Sequence, residues 1–109
     1  MRIARIGSAG QEKPAVVSGN EYIIVDSLIS DWSRQSLEEG AMAKVAGADL
    51  SGLPRVAKGS TRIGSPINRP TKVICVGLNY LGHIKETNAD TPAAPVIFMK
   101  APDSVVGPN

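Results

Sequence analysis

The chain has 109 residues, of which 42% are hydrophobic and 20% charged, with a formal net charge of +2. That length suits one ordinary domain with a real core, and the composition excludes a disordered or fibrous chain. The small net charge, on scattered Lys and Arg, argues against nucleic acid or an anionic membrane as partner.

"MRIARIG" alternates apolar and polar residues and predicts a first strand. No apolar stretch of the kind a secretory signal needs follows its basic residues, so a cytoplasmic location is expected. No window approaches 18 consecutive apolar residues, so no span of a membrane is expected. "PAVVSGNEYIIVD" reads as two short strands around Gly19-Asn20, a two-residue hairpin signal, and the first three strands should form an antiparallel meander. In "DSLISDW", Asp26 caps one helical turn. "SLEEGAMAKVAGAD" predicts a helix with a capping box, Ser36 at its N-cap and Glu39 reaching back. Leu37, Met42 and Val45 give it a loose apolar face; Gly40 weakens it and Gly47 stops it.

"SGLPRVAKGSTRIGSPINRP" is punctuated by Pro54, Gly59, Gly64, Pro66 and Pro70, and reads as a connecting segment with room for one short strand. "KVICVG" is apolar on both faces, the pattern of a buried central strand. It holds Cys75, the single cysteine, read as a buried, reduced thiol without a disulfide partner. The strand ends at Gly77, where "LNYLGHIKET" starts a short helix. "APVIFMKAP" is a second strong strand, with Pro92 and Pro95 at its entry, Pro102 at its exit, and Phe98 and Met99 as core. "DSVVGPN" can open another. Two strands buried on both faces need layers on either side. Either the meander packs over them, or they belong to a larger sheet.

The chemistry centres on His83, the only histidine. On a helical turn His83 and Glu86 share one face, and a carboxylate beside an imidazole fixes its tautomer and raises its basicity, as a general base requires. By spacing alone such a pair is more often a surface pair than a catalytic dyad. Its place just past a buried strand is where sheet proteins put binding groups. Lys100 interrupts an apolar run near the end of the next strand. It could face a common cleft with His83, or its ammonium could simply reach water. Asn79 suits a tight turn or a helix cap, and Tyr80 a packed ring with a wet hydroxyl. Ser104 reads equally as a turn residue or a ligand hydroxyl. No phosphate loop, nucleophile elbow or locally closed metal site is present in the sequence.

"RIGSPINRPTKVICVGLNYLGHIKET" followed by "PVIFMKAPDSVVGPN" resembles the fumarylacetoacetate hydrolase family. The bacterial members it is most similar to are assigned to 2,4-diketo-3-deoxy sugar acid hydrolysis, to ureidoglycolate lyase or to hydroxyheptadienedioate isomerase activity. The opening "MRIARIG" and the "LPRV" connection are similar to their small N-terminal domain. The resemblance implies an α+β, mostly β fold. A β-meander with a helix would occupy 1–62, and 63–109 would hold the first strands of a mixed β-roll catalytic domain, expected to be truncated.

It also implies a metal-dependent hydrolase of C–C bonds in small 2,4-dioxo acids, of acylpyruvate or deoxy sugar acid type, working as a cytoplasmic homodimer. His83 and Glu86 match the pair that activates water. Lys100 matches a position lining the substrate site, to which Asn79 and Tyr80 are added as substrate-binding residues. Mg²⁺ or Mn²⁺ would be held by a Glu-x-Glu pair and an Asp. After Glu86 the only carboxylates here are Asp90 and Asp103, which match no such ligand, so the 109 residues alone are expected to be inactive. Leu81-Gly82 stands where relatives commonly have Ala-Asp, and Ile84 and Lys85 also depart from the family pattern. Lyases, isomerases and decarboxylases share the same residues. A reading of another class is a truncated, non-catalytic oligomerisation or binding module.

Overall fold

The alternating opening forms β1 (Ile3–Ile6), which pairs antiparallel with β2 (Lys13–Ser18), and β2 pairs antiparallel with β3 (Glu21–Ile24). Gly19-Asn20 turns β2 into β3 with Ser18 opposite Glu21, and Gly19 takes the positive φ of 53° that so tight a turn requires. The short strand in the connecting segment is β4 (Arg55–Ala57), added antiparallel to the free edge of β3. This computed structural model describes residues 1–108. It is α+β and mostly β, in two compact units: Met1–Pro70 with the tail from Val105, and Thr71–Ser104.

Both faces of the first unit's sheet are covered. Ile3 and Val16 stand opposite each other on the face that packs against Val25, Ile29, Trp32, Ala41 and Val45. Trp32 is fully buried there, and its indole Nε1 donates to the Ala15 carbonyl at 3.1 Å, giving the one polar atom of a large apolar ring a partner. The other face gathers Ala4, Ile6, Ala15 and Tyr22 with Val17, Val56 and Ile63.

The single helix expected after the meander is two. α1 (Arg34–Glu38) and α2 (Ala41–Ala46) are separated by Gly40, whose φ of 85° is left-handed and ends the first helix outright. The capping box lies three residues earlier than expected. Ser33 is the N-cap, its Oγ accepting from the Ser36 amide at 3.2 Å, while the Ser36 Oγ accepts from the Ser33 amide at 3.0 Å. An N-cap needs extended backbone, which Ser33 has (φ −122°, ψ 167°), whereas Ser36 is already inside the helix. Glu39 is therefore the C-cap. Ala41 and Val45 are the buried residues of α2, and Met42 is exposed. Asp26 caps no helix either: residues 26–28 are a turn, and its carboxylate accepts from Lys13 Nζ at 2.8 Å.

Arg5 occupies a position that the alternating pattern assigns to solvent, yet it is only 6% exposed. Its guanidinium is bidentate to Asp31, with Nε to Oδ1 at 2.7 Å and Nη2 to Oδ2 at 3.0 Å, and Nη2 stands 3.5 Å from Glu12 Oε2. Arg62 Nη1 donates to Glu12 Oε1 at 2.8 Å. Burial pushes the Glu12 carboxyl up. The Arg62 hydrogen bond, its own backbone amide and the charges of Arg5 and Arg62 outweigh that and hold it below the ordinary value.

In the second unit β5 (Val73–Gly77) and β6 (Val96–Lys100) form an antiparallel ribbon, with α3 (Leu81–Glu86) on the connection. Within the described residues this ribbon is not buried, contrary to what its sequence predicts. Ile74, Val76, Ile97 and Met99 share one face and are 63%, 51%, 65% and 69% exposed. Phe98 and Val96, on the opposite face, are also exposed, and Cys75 is half-buried. Phe98 and Met99 are therefore not core residues here, because two strands cannot supply the layers that their side chains call for. Gly77 closes the ribbon: a β-carbon there would meet the Phe98 and Val96 side chains at 3.4 Å. After β6 comes a 3₁₀ turn, Pro102–Ser104. The strand expected in the tail does not form over 105–108, where Pro108 has no amide to give a ladder, and Asn109 lies outside the described residues. Among the described residues no helix is long and apolar enough to cross a membrane.

Candidate functional site

The step from β5 into α3 is strained. Leu78 has a φ of 50°, a left-handed conformation that costs a bulky L-residue roughly 1–2 kcal/mol. Tyr80, not Asn79, is the N-cap of α3, in extended backbone and with no side-chain cap bond. The C-terminus is closed more firmly. Asn88 sits just past it at a φ of 51°; its amide donates to the Lys85 carbonyl at 3.2 Å, and the Ala89 amide donates to the Ile84 carbonyl at 3.1 Å. These two bonds make a left-handed helix stop. Thr87 adds its amide and its Oγ1, which donate to the His83 carbonyl at 3.1 and 2.9 Å.

Ile84 is the buried residue of α3, and His83 and Glu86 lie on exposed surface. His83 Nδ1 is 3.7 Å from Glu86 Oε2, so the expected shared face is present. The separation is just beyond a hydrogen bond, and both side chains are free enough to close it. With Nδ1 turned to the carboxylate, Nε2 is the nitrogen left to meet a water molecule.

The other predicted site residues lie on the ribbon and on its connection to α3. Lys100 stands opposite Val73, whereas Gly77, which leads toward α3, stands opposite Val96 at the other end of the ribbon. The strands are neighbours as expected, and they run antiparallel. Tyr80 is three-quarters exposed, so its ring is not packed. Asn79 lines an open concavity of about 410 Å³ with Leu78, Thr91, Ala94 and Val96, which His83, Glu86, Tyr80 and Lys100 do not line. Ser104 Oγ donates to the Ala101 carbonyl at 2.7 Å, the bond of a turn residue. Sequence reasoning missed Leu78, for which a bulky apolar residue gives no signal. It also missed Thr87 and Asn88, for which an Asn just past a helical stretch is a recognisable one.

Residues 72–109 match the family model described as fumarylacetoacetate (FAA) hydrolase C-terminal. That segment is similar to the fumarylacetoacetate hydrolase family. The whole chain is 39% identical over 111 residues to the 2,4-didehydro-3-deoxy-L-rhamnonate hydrolase of Sphingomonas sp. strain SKA58, covering 36% of that protein. Two solved structures share the fold at 30% identity. One is of an HpcE protein from Mycobacterium smegmatis, with a TM-score of 0.75 over 100% of this chain and 39% of that one. The other is the fumarylacetoacetate hydrolase of the psychrophile Exiguobacterium antarcticum, with a TM-score of 0.63 over 97% of this chain and 37% of that one. The chain thus spans less than two fifths of the length of the curated relatives it matches.

Among the described residues, no group of three or more His, Cys, Asp or Glu side chains stands together as metal ligands do. Asp90 and Asp103 belong to no such group among the described residues.

Proposed function

We propose that this chain supplies the water-activating pair of a hydrolase that cleaves a C–C bond in a small 2,4-dioxo acid. The observation that carries this reading is the 3.7 Å approach of His83 Nδ1 to Glu86 Oε2 on the exposed face of α3. Similarity to a 2,4-didehydro-3-deoxy-L-rhamnonate hydrolase supports it and favours a deoxy sugar acid over a simple acylpyruvate as substrate.

In this reading Glu86 holds the imidazole, and His83 Nε2 takes a proton from water as the water oxygen bonds to the C4 carbonyl carbon. The C3–C4 bond then breaks, its electron pair passing into the enolate of the 2-oxo acid fragment, and that enolate takes up a proton. Lys100 binds an anionic oxygen, and Asn79 and Tyr80 contact the substrate. The family's Mg²⁺ or Mn²⁺ finds no ligand group among the described residues, and no step here is routed through it. We place the start of the catalytic domain at residue 63, after a small domain over 1–62, in a cytoplasmic homodimer.

The exposed ribbon face of Ile74, Val76, Ile97 and Met99 favours a second reading, a non-catalytic oligomerisation module. Within the enzyme reading, lyase, isomerase and decarboxylase outcomes use the same pair. The test offers the native gene product an acylpyruvate and a 2,4-diketo-3-deoxy sugar acid with Mg²⁺ or Mn²⁺ present. Turnover that His83→Asn abolishes, with none from the 109 residues alone, is the expected result. Inactivity of the native product on both substrate classes supports the module. Steady turnover by the 109 residues, lost in His83→Ala, overturns the need for residues beyond them.

A further inference from the structure

We infer that residues 62–68 form a strap latched onto the meander by the Glu12 side chain, and that undoing this latch frees the strap while the meander core stays folded. Backbone bonds and apolar packing both hold the strap: Ile63 bridges to Ile6 and packs on one core cluster, and Ile67 packs on the other. Gly7 donates to the Arg62 carbonyl at 3.0 Å, Gly64 donates to the Arg5 carbonyl at 2.8 Å, and Asn68 donates to the Trp32 carbonyl at 2.7 Å. Pro66 within the strap has no amide to add.

Charged side chains add the latch. Glu12 bridges two guanidiniums, with Arg62 of the strap on Oε1 at 2.8 Å and Arg5 of β1 3.5 Å from Oε2, where the Gly10 amide also donates at 3.1 Å. Arg5 reaches on to the strap through Nη1 to the Ser65 carbonyl at 3.3 Å, while Asp31 occupies its other edge. The charged groups facing Glu12 are thus Arg5 and Arg62, with Asp31 behind Arg5. Space makes the same point independently of charge. A β-carbon at Gly64 would lie 2.7 Å from Glu12 Cγ and 2.8 Å from Oε1, so only a residue without a side chain lets the carboxylate lie across the strap.

Amide hydrogen exchange on the full chain tests the latch, comparing Gly64 and Gly7, which bond across it, with Val25, whose amide donates to the Pro14 carbonyl in the core at 2.9 Å. Glu12→Gln removes the charge and Gly64→Ala displaces the carboxylate. Each is expected to speed exchange at Gly64 on the order of tenfold or more with Val25 unchanged, as loss of a hydrogen bond to a charged group implies. Unchanged exchange at Gly64 overturns the inference. So does an equal acceleration at Gly64 and Val25, which would mean that the meander opens with the strap. Should Glu12→Gln not fold, Arg62→Gln, whose side chain is 34% exposed, undoes the same bond from the strap side and is held to the same outcomes.

Discussion

Lys100 stands opposite Val73 in the ribbon, four register positions from the Gly77–Val96 pair. At about 3.4 Å per residue that is roughly 13 Å along the strands. A lysine that binds substrate and a histidine that activates water should fail differently when replaced. Lys100→Met in the native enzyme is expected to lower kcat/KM about tenfold to a hundredfold through KM, as loss of a charge-assisted contact does. A fall in kcat with KM unmoved would instead put Lys100 in the chemical step.

His83→Asn should lower kcat by about 10²- to 10⁴-fold, the usual worth of a general base. Glu86 acts through His83 in this reading, so Glu86→Gln should cost less, and the double variant should cost little more than His83→Asn alone. Both side chains are exposed, so circular dichroism and melting temperature should stay as in the parent chain. Losses that simply add in the double variant would count against the pairing.

Acid should loosen the first unit. The Glu12 carboxyl titrates below its ordinary 4.5 in the folded chain. Its stabilisation is therefore complete above the unfolded value and is lost as pH falls through the folded one. The melting temperature should hold from neutral pH to about 5 and drop below that, and Glu12→Gln should lower it at neutral pH while flattening the acid limb. An acid limb unchanged in Glu12→Gln would assign the effect to other carboxylates.

At Leu78 the usual order of substitutions should reverse. Alanine keeps the left-handed strain and loses the side chain, whereas glycine relieves strain worth roughly 1–2 kcal/mol. Leu78→Gly is expected to melt at or above Leu78→Ala. A clearly lower melting temperature for the glycine variant would show that φ at this position carries no such cost.

The 109 residues alone should self-associate. An apolar sheet face more than half exposed at Ile74, Val76, Ile97 and Met99 seeks cover, and both edges of a two-stranded ribbon are open. Sedimentation should show mass rising with concentration, and the double variant Ile97→Lys, Met99→Lys should return it toward a monomer. A well-folded monomer at high concentration would refute this account of the ribbon.

The meander was legible because its signals are local: alternation in "MRIARIG" and a two-residue turn at Gly19-Asn20. The His83–Glu86 face was legible for the same reason, since helical spacing alone sets it. The helix start was misread because Ser33 and Ser36 are both serines with a plausible partner three residues on, and only the backbone at Ser33 separates them. Arg5 was hidden because its partners, Asp31, Glu12 and Ser65, are distant in sequence. The register that sets Lys100 opposite Val73 was hidden because sequence shows that two strands are strong without showing which way the second one runs.

A ribbon that is apolar on both faces carries a hazard of misalignment. Elsewhere a slip by one residue would bring polar side chains to an apolar face and be rejected. Between β5 and β6 it would exchange Ile97 and Met99 for Val96 and Phe98, one greasy set for another. At Gly77 a β-carbon would meet Phe98 and Val96 at an ordinary contact distance, so side-chain fit there does little to reject a slipped alignment, and the choice of alignment falls to the connection that carries α3.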